Sequence, residues 1–315
     1  MKSAIVLAAG KGTRMKSALN KVMHPVLNKP MIGHIVDTLK ASGVERIVVV
    51  VGHGAESVKE YLQDSVEYAI QQPQLGTGHA VMQASVLEGL DGDTIVVNGD
   101  GPCIQKETIQ KVFESNRDAA CTVLTSVLPD GERYGRIIRN AQGMVEKIVE
   151  AKDCSEEELE VKEINTGIFC FNNKALFEGL KEITNSNAQQ EYYLTDLVEI
   201  FNKKDLCVNA MIVDDPKEAM GVNDRVDLAK ANAWMKRHVN EAHMRAGVTI
   251  IDPDNTYIDV DAVIGEDTVI YPNVHIQGKT VIGKNTVILP NSFLRNAVIL
   301  SLIHISEPTR RSYIS

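Results

Sequence analysis

Two short stretches combine residue types that could act on a common ligand. In Leu7-Ala-Ala-Gly-Lys-Gly-Thr-Arg-Met15, Gly10 and Gly12 let the backbone approach a ligand closely, and consecutive loop N–H groups can form an anion-binding concavity. Lys11 and Arg14 lie in this loop and Lys21 follows it; three cations beside one turn repel each other unless an anion offsets them. The spacing matches neither GxGxxG nor the P-loop pattern, so the usual dinucleotide and P-loop readings fail. Without its cations, a glycine turn between strand and helix is structural more often than functional. The second stretch, Asn98-Gly99-Asp100, ends an apolar run. It would project a carboxylate beyond the carboxyl end of a strand, where open α/β sheets bind ligands. Magnesium takes one or two protein oxygens plus substrate phosphates, so a single Asp could suffice. Taken alone, Asp100 before Gly101-Pro102 reads better as a turn cap.

The charge distribution narrows the ligand. The 315 residues carry 33 Lys and Arg against 42 Asp and Glu, a net charge of -9, which argues against a general affinity for nucleic acid or anionic membrane. Yet Met1 to Val36 holds Lys2, Lys11, Arg14, Lys16, Lys21 and Lys29 and no acid. Such an island suits a small polyanionic ligand or a solvated loop, and charge alone does not choose. Hydrophobic content of 44% excludes a disordered chain. No apolar run approaches the ~20 residues of a membrane span. The apolar core Ala4 to Ala9 is too short for a secretory signal. Five cysteines (Cys103, Cys121, Cys154, Cys170 and Cys207), odd in number and without a CxxC pair, indicate neither a disulfide framework nor a zinc site, but reduced thiols in the cytoplasm.

The elements that must position these residues follow from hydrophobic pattern. Ser3 to Ala8, Arg46 to Val51, Val66 to Ile70 and Thr94 to Val97 read as buried strands. They alternate with helices over Met31 to Leu39, Ala55 to Leu62, Gly78 to Leu87 and Gln105 to Glu114. This alternation predicts βαβ units and a doubly wound, Rossmann-like α/β sheet. Ala120 to Val127, Arg136 to Arg139, Val145 to Val149 and Ile164 to Phe171 extend it. Arg225 to Arg245 predicts one long connecting helix with Gly247 as its C-cap. Beyond it, Ile258, Ile264, Ile270, Ile276, Ile282, Ile288 and Leu294 recur every sixth residue, the signature of a left-handed parallel β-helix of about two coils. Residues 301–315 break the repeat and read as a non-native tail. His53 reads as a turn residue, Tyr192 and Tyr193 as sheet packing, Glu156 to Glu160 as a solvated helix face, and Trp234 as packing of the long helix.

Eight motifs then occur in order: the first loop with Lys21-Val22, Gln74-Leu-Gly-Thr-Gly-His-Ala80, Gly99-Asp100-x-Pro102, Tyr134-Gly-Arg-Ile137, Ile148-Val-Glu-x-Lys-Asp153, Glu163-Ile-Asn-Thr-Gly167, Asn187-Ala-Gln-x-Glu-Tyr-Tyr193 and Gly221-Val-Asn223. Over residues 1 to about 300 the chain resembles the bacterial bifunctional N-acetylglucosamine-1-phosphate uridyltransferase/glucosamine-1-phosphate N-acetyltransferase family. The resemblance implies a uridyltransferase domain over 1–225, a helical linker over 226–246 and a truncated left-handed β-helix over 247–300. It implies transfer of UMP from UTP to N-acetylglucosamine 1-phosphate, giving UDP-N-acetylglucosamine and diphosphate for cell-wall precursors.

Leu7, Ala8, Ala9 and Gly10 would line the nucleotide cradle, with Arg14 and Lys21 at the phosphates. Gln71, Gly76 and Thr77 would recognise uracil. Gly135, Glu150 and Asn165 would hold the sugar, and Asn98 and Gly99 would belong to the same wall. Asp100 and Asn223 would be ligands of Mg2+, and Arg14, Lys21 and Asp100 the catalytic set. The acetyltransferase activity of the family is expected to be absent from this chain, and its homotrimer, formed through the β-helix, weakened or lost. Gln190, Gly101, Cys103 and Asn98 depart from the family pattern, which bears on turnover rate. The alternatives are a nucleotidyltransferase for another base or sugar phosphate, and a regulatory homologue that binds sugar nucleotide without turnover.

Overall fold

The computed structural model describes residues 1–131 and 133–301, so all but the first residue of the expected tail at 301–315 lies outside the described residues. The chain divides into two compact units, Met1–Ala231 and a second from Asn232 onward.

The first unit opens with β1 (Lys2–Ala8) and a small hairpin of β2 (Pro25–Val26) and β3 (Lys29–Pro30). There follow α1 (Met31–Ala41), β4 (Arg46–Val51), α2 (Ala55–Leu62), β5 (Glu67–Ile70), α3 (Thr77–Met82), β6 (Asp93–Asn98) and α4 (Lys106–Ser115). The later elements are β7 (Cys121–Val127), β8 (Arg136–Arg139), β9 (Val145–Val149), α5 (Glu156–Leu159), β10 (Glu163–Asn172), α6 (Asn173–Leu180), α7 (Asp196–Lys203) and β11 (Val208–Ile212). The strands form one sheet in the order β5-β4-β1-β6-β10-β7-β11, with β8 joining β10 to β9. β1 runs parallel to both β4 and β6, so the chain reverses its direction of progress across the sheet at β1. Crevices at such a switch point open beyond the carboxyl ends of the strands.

β1 is apolar without interruption from Ala4 to Ala8 because helices cover both faces of the sheet. Ala4, Val6 and Ala8 enter one core with Ile35 and Val58, while Ile5 enters the other with Val81 and Leu87. The helix expected over Gly78 to Leu87 is shorter. It ends at Met82, and a separate turn covers Ser85–Leu87. The buried Asn173 amide donates to the Leu87 and Leu90 carbonyls (2.7 and 2.9 Å), fixing them in a turn that brings Leu87 into the core. α5 begins with Ser155, which forms a reciprocal capping box with Glu158, and its glutamates stay mostly in solvent. All five cysteines are free thiols.

α8 (Arg225–Arg245) crosses from one unit into the other, and in its second part the Trp234 and His238 rings stack with centres 4.9 Å apart. Among the described residues nine short strands follow: β12 (Thr249–Ile250), β13 (Tyr257–Ile258), β14 (Val263–Ile264), β15 (Val269–Ile270), β16 (His275–Gln277), β17 (Val281–Ile282), β18 (Val287–Ile288), β19 (Phe293–Arg295) and β20 (Val298–Ile299). They stack as three parallel sheets, β12-β15-β18, β13-β16-β19 and β14-β17-β20, which make the start of a left-handed β-helix.

The described residues thus make three coils, not the two that strict six-residue counting suggests. The first step, from Ile250 to Ile258, is lengthened by a turn at Pro253–Asn255 whose start is capped by the Asp252 carboxylate. The last step is shortened, because Ile282 pairs with Ile299. Isoleucines 258, 264, 270, 276, 282 and 288 fill the axis. Corners at Asp267, Asn273, Asn285 and Asn291 adopt positive φ (60°, 59°, 56° and 62°), which short polar side chains tolerate. Buried corner threonines satisfy their hydroxyls on backbone carbonyls, Thr268 on Gly283 (3.0 Å) and Thr280 on Gln277 (2.7 Å).

Candidate active site

The glycine loop leaves β1 at the switch point. Ala9 is buried and Gly10 exposed. Gly12 has φ +58°, and a Cβ there would lie 2.5 Å from the Lys21 Cβ, so the glycine permits both the turn and the packing of Lys21 against it. Lys21 itself begins a short 3-10 turn, Lys21–Met23, capped by Asn20, whose side-chain oxygen accepts the Val22 N–H (3.2 Å). The Asn20 amide also donates to the His53 carbonyl (2.7 Å), which ties this turn to the Gly52-His53-Gly54 loop after β4. His53 therefore serves the turn through its backbone.

Lys21 carries the central contact of the site. Its ammonium donates to the Asp100 carboxylate and to the Asn223 side-chain carbonyl (3.0 Å), while Arg14 donates to the same Asn223 oxygen (2.8 Å). One cation on both oxygens leaves them no more than two hydrogen-bond lengths apart. The Asp100 side chain thus pairs with a cation brought from the glycine-loop side of the site. Its loop is anchored from Gly99 N–H to the Leu7 carbonyl (2.9 Å), and the Val222 N–H donates to the Asp100 carbonyl (2.8 Å). Asp227 fixes the other side: it accepts the Asn223 N–H (3.2 Å) and pairs with Arg133 (2.7 Å).

The cationic island is divided by the fold. Arg14 and Lys21 reach the acid and amide, but Lys29 pairs with Asp37, Lys2 lies over the Phe113 ring (4.9 Å), and Lys11 and Lys16 are exposed.

Two further groups of expected residues assemble. Gln71 is 3% exposed, and its amide donates to the Gly76 carbonyl (2.9 Å) with His79 Nδ1 at 3.2 Å. Gly76 has φ +106°, and a Cβ there would meet the Tyr192 carbonyl at 2.6 Å, so only glycine admits this approach. The Thr77 hydroxyl accepts the Leu194 N–H (3.0 Å). In the other group the Gly135 carbonyl accepts the Asn165 N–H (2.9 Å), and a Cβ on Gly135 would lie 3.5 Å from Glu150 Oε2. Burial pushes the Glu150 carboxyl up, against a hydrogen bond from the Thr195 hydroxyl (3.2 Å) that favours its charged form. The segment Tyr192 to Thr195 therefore touches both groups. Asn98 lies against Gly167, beside the second of them in sequence.

Gln190 has φ +54°, the left-handed conformation that explains why glycine would suit this position. Asn20, Thr195 and Asp227 are the contributors that sequence reading missed. Only Asn20, an amide immediately before a helical turn, carries a local signal for its role.

A sequence profile described as a MobA-like NTP transferase domain matches residues 4–191. A second, described as a bacterial transferase hexapeptide of six repeats, matches residues 261–296. The protein named bifunctional protein GlmU of Latilactobacillus sakei is 54% identical over 276 residues, covering 87% of this chain and 60% of that protein. Its namesake in Halalkalibacterium halodurans is 54% identical over 272 residues, 85% of this chain and 60% of that protein. The one in Listeria welshimeri is 50% identical over 305 residues, 96% of this chain and 67% of that protein. The chain thus spans about 60% of the length of the first two relatives. Among solved structures, a putative glucose-1-phosphate thymidylyltransferase from Bacillus anthracis superposes with a TM-score of 0.60 over 74% of this chain and 95% of that one, at 24% identity, a likeness of fold.

Proposed function

This chain belongs to the MobA-like NTP transferase family and, within it, to the bifunctional GlmU proteins, and on that premise we propose that it transfers UMP from UTP to N-acetyl-α-D-glucosamine 1-phosphate, releasing diphosphate and forming UDP-N-acetylglucosamine. The observation that carries this reading is the meeting of Lys21 and Arg14 with Asp100 and Asn223 at the carboxyl end of the parallel strands.

In the proposed reaction a sugar-phosphate oxygen attacks the α-phosphorus of UTP and diphosphate leaves opposite. The nucleophile is already anionic, so the protein needs neither a general base nor a covalent intermediate. Its task is alignment and neutralisation of charge. Arg14 and Lys21 screen the triphosphate and the departing diphosphate, with Leu7, Ala8, Ala9 and Gly10 as the cradle beneath. Gln71, Gly76 and Thr77 take the uracil. Gly135, Glu150 and Asn165 take the sugar, with Asn98 and Gly99 beside them. Asp100 and Asn223 would hold Mg2+: a carboxylate and an amide carbonyl are hard oxygen donors, and both already accept from a cation. When bound, the ion supplies charge neutralisation at the phosphate oxygens.

Among the described residues no helix is long and apolar enough to cross a membrane. The same reading puts the chain in the cytoplasm. Diphosphate release, measured with Mg2+ across a panel of nucleoside triphosphates and sugar 1-phosphates, tests the proposal. UTP with N-acetylglucosamine 1-phosphate should be preferred. Equal turnover of other pairs, or none with any, would overturn it.

A further inference from the structure

Glu218 is a carboxylate in an unfavourable place. It is 6% exposed. Burial pushes its carboxyl up, and Asp215 and Asp214 add repulsion. Buried charges of this kind persist when they are well bonded, and Glu218 is. Its Oε1 accepts the Gln105 N–H (2.8 Å), and the Thr108 hydroxyl bonds it as well. Both donors belong to the start of α4, where the Gln105 side chain supplies no cap of its own. Glu218 thus caps α4 from a segment 113 positions away, and its negative charge suits the positive end of the helix.

What this cap fastens is the metal-facing pair. Asp100 and Gln105 stand at the two ends of one loop, and Glu218 and Asn223 at the two ends of another. The loops are joined near the pair by the Val222–Asp100 backbone bond (2.8 Å) and at the far end by Glu218 with Gln105. A single bond leaves two loops free to pivot about it. A second, partly buried and placed five residues along one loop and four along the other, removes that rotation. Glu218 is itself supported by the turn Pro216–Ala219, which the Asp215 carboxylate caps through the Lys217 N–H (3.0 Å).

We propose that Glu218 is a positioning residue that keeps Asp100 and Asn223 close enough to share one divalent cation. The inference rests on reading those two oxygens as a cation site. The test is Mn2+ binding to the full chain in the presence of UTP, followed by the electron paramagnetic resonance of free Mn2+, beside calorimetric UTP binding without metal. Glu218→Ala should weaken Mn2+ about 10-fold, the effect of losing a residue that orients a metal ligand, and leave metal-free UTP affinity unchanged. Glu218→Gln, which keeps the acceptor, should recover most of the loss. Glu218→Asp keeps the charge but draws it back by one methylene, and it should weaken Mn2+ as well. It decides the matter if the alanine variant does not fold. Wild-type Mn2+ affinity in Glu218→Asp and Glu218→Ala, or a parallel loss of metal-free UTP binding, would overturn the inference. Wild-type protein that binds no Mn2+ with UTP would overturn the cation site itself.

Discussion

In the β-helix, Ile258 pairs with Ile276 and Ile270 with Ile288, each 18 positions along the chain. Around Lys21 the partners are Asp100, 79 positions away, and Asn223, 202 away. The first region repeats one contact coil after coil and buries an apolar axis; the second brings unlike side chains together once. Periodic structure distributes stability, so each axial isoleucine is nearly equivalent to the next. The site concentrates charge in a few unlike side chains whose pairing does not recur along the chain. The difference predicts that substitutions in the two regions fail in separable ways.

The largest expected effect lies in the site. Asp100→Ala or Lys21→Ala should lower diphosphate release by roughly 10²-fold or more, as when a preorganised electrostatic partner is lost, with little change in unfolding. Near-normal release by either variant removes that residue from the mechanism. Next comes the axis of the β-helix: Ile276→Ala should destabilise the second unit by ~3 kcal/mol in denaturant unfolding and leave the turnover of folded protein intact. A matching drop in turnover would show that the two regions are coupled.

A smaller effect separates charge from packing within the first unit. Burial pushes the Asp196 carboxyl up to about 6, from 3.8, and Glu199 and Asp153 add repulsion. The folded chain holds this proton more tightly than the unfolded one. The associated stability is complete below the unfolded value and is lost as pH rises through about 6. Asp196→Asn should therefore be more stable by ~1–2 kcal/mol at about pH 8 and gain almost nothing near pH 3, in paired urea titrations. An equal gain at both pH values would assign the effect to packing.

Legibility in the sequence follows the same division. β1 and β4 are readable because strands buried on both faces carry unbroken apolar runs, Ala4 to Ala8 and Ile47 to Val51, and the hexad because its contacts repeat in the chain itself. Counting failed where a step was eight residues at Pro253–Asn255 or was shortened near Ile299, since a turn can absorb residues without disturbing the axis. The glycine loop and Asp100 carried recognisable chemistry. Spacing alone does not bring Lys21 to Asp100, and Asn223 entered only through resemblance. Glu218, Thr195 and Asp227 had no local signal, because each acts on a partner that only the folded sheet brings near. Helix α3 is shorter than its apolar pattern suggests because Asn173, far downstream in another element, fixes the carbonyls just beyond its end.

The ammonium of Lys21 resting on both Asp100 and Asn223 means that the vestibule comes with a resident monovalent guest. On the proposed reading, a divalent ion would have to displace it, and a triphosphate would offer the displaced ammonium another anionic berth. Ion and nucleotide should then each tighten the grip on the other by the same factor, since linkage is reciprocal. Mn2+ titrations with and without UTP measure that factor directly, and identical affinities would mean that the lysine never leaves its post.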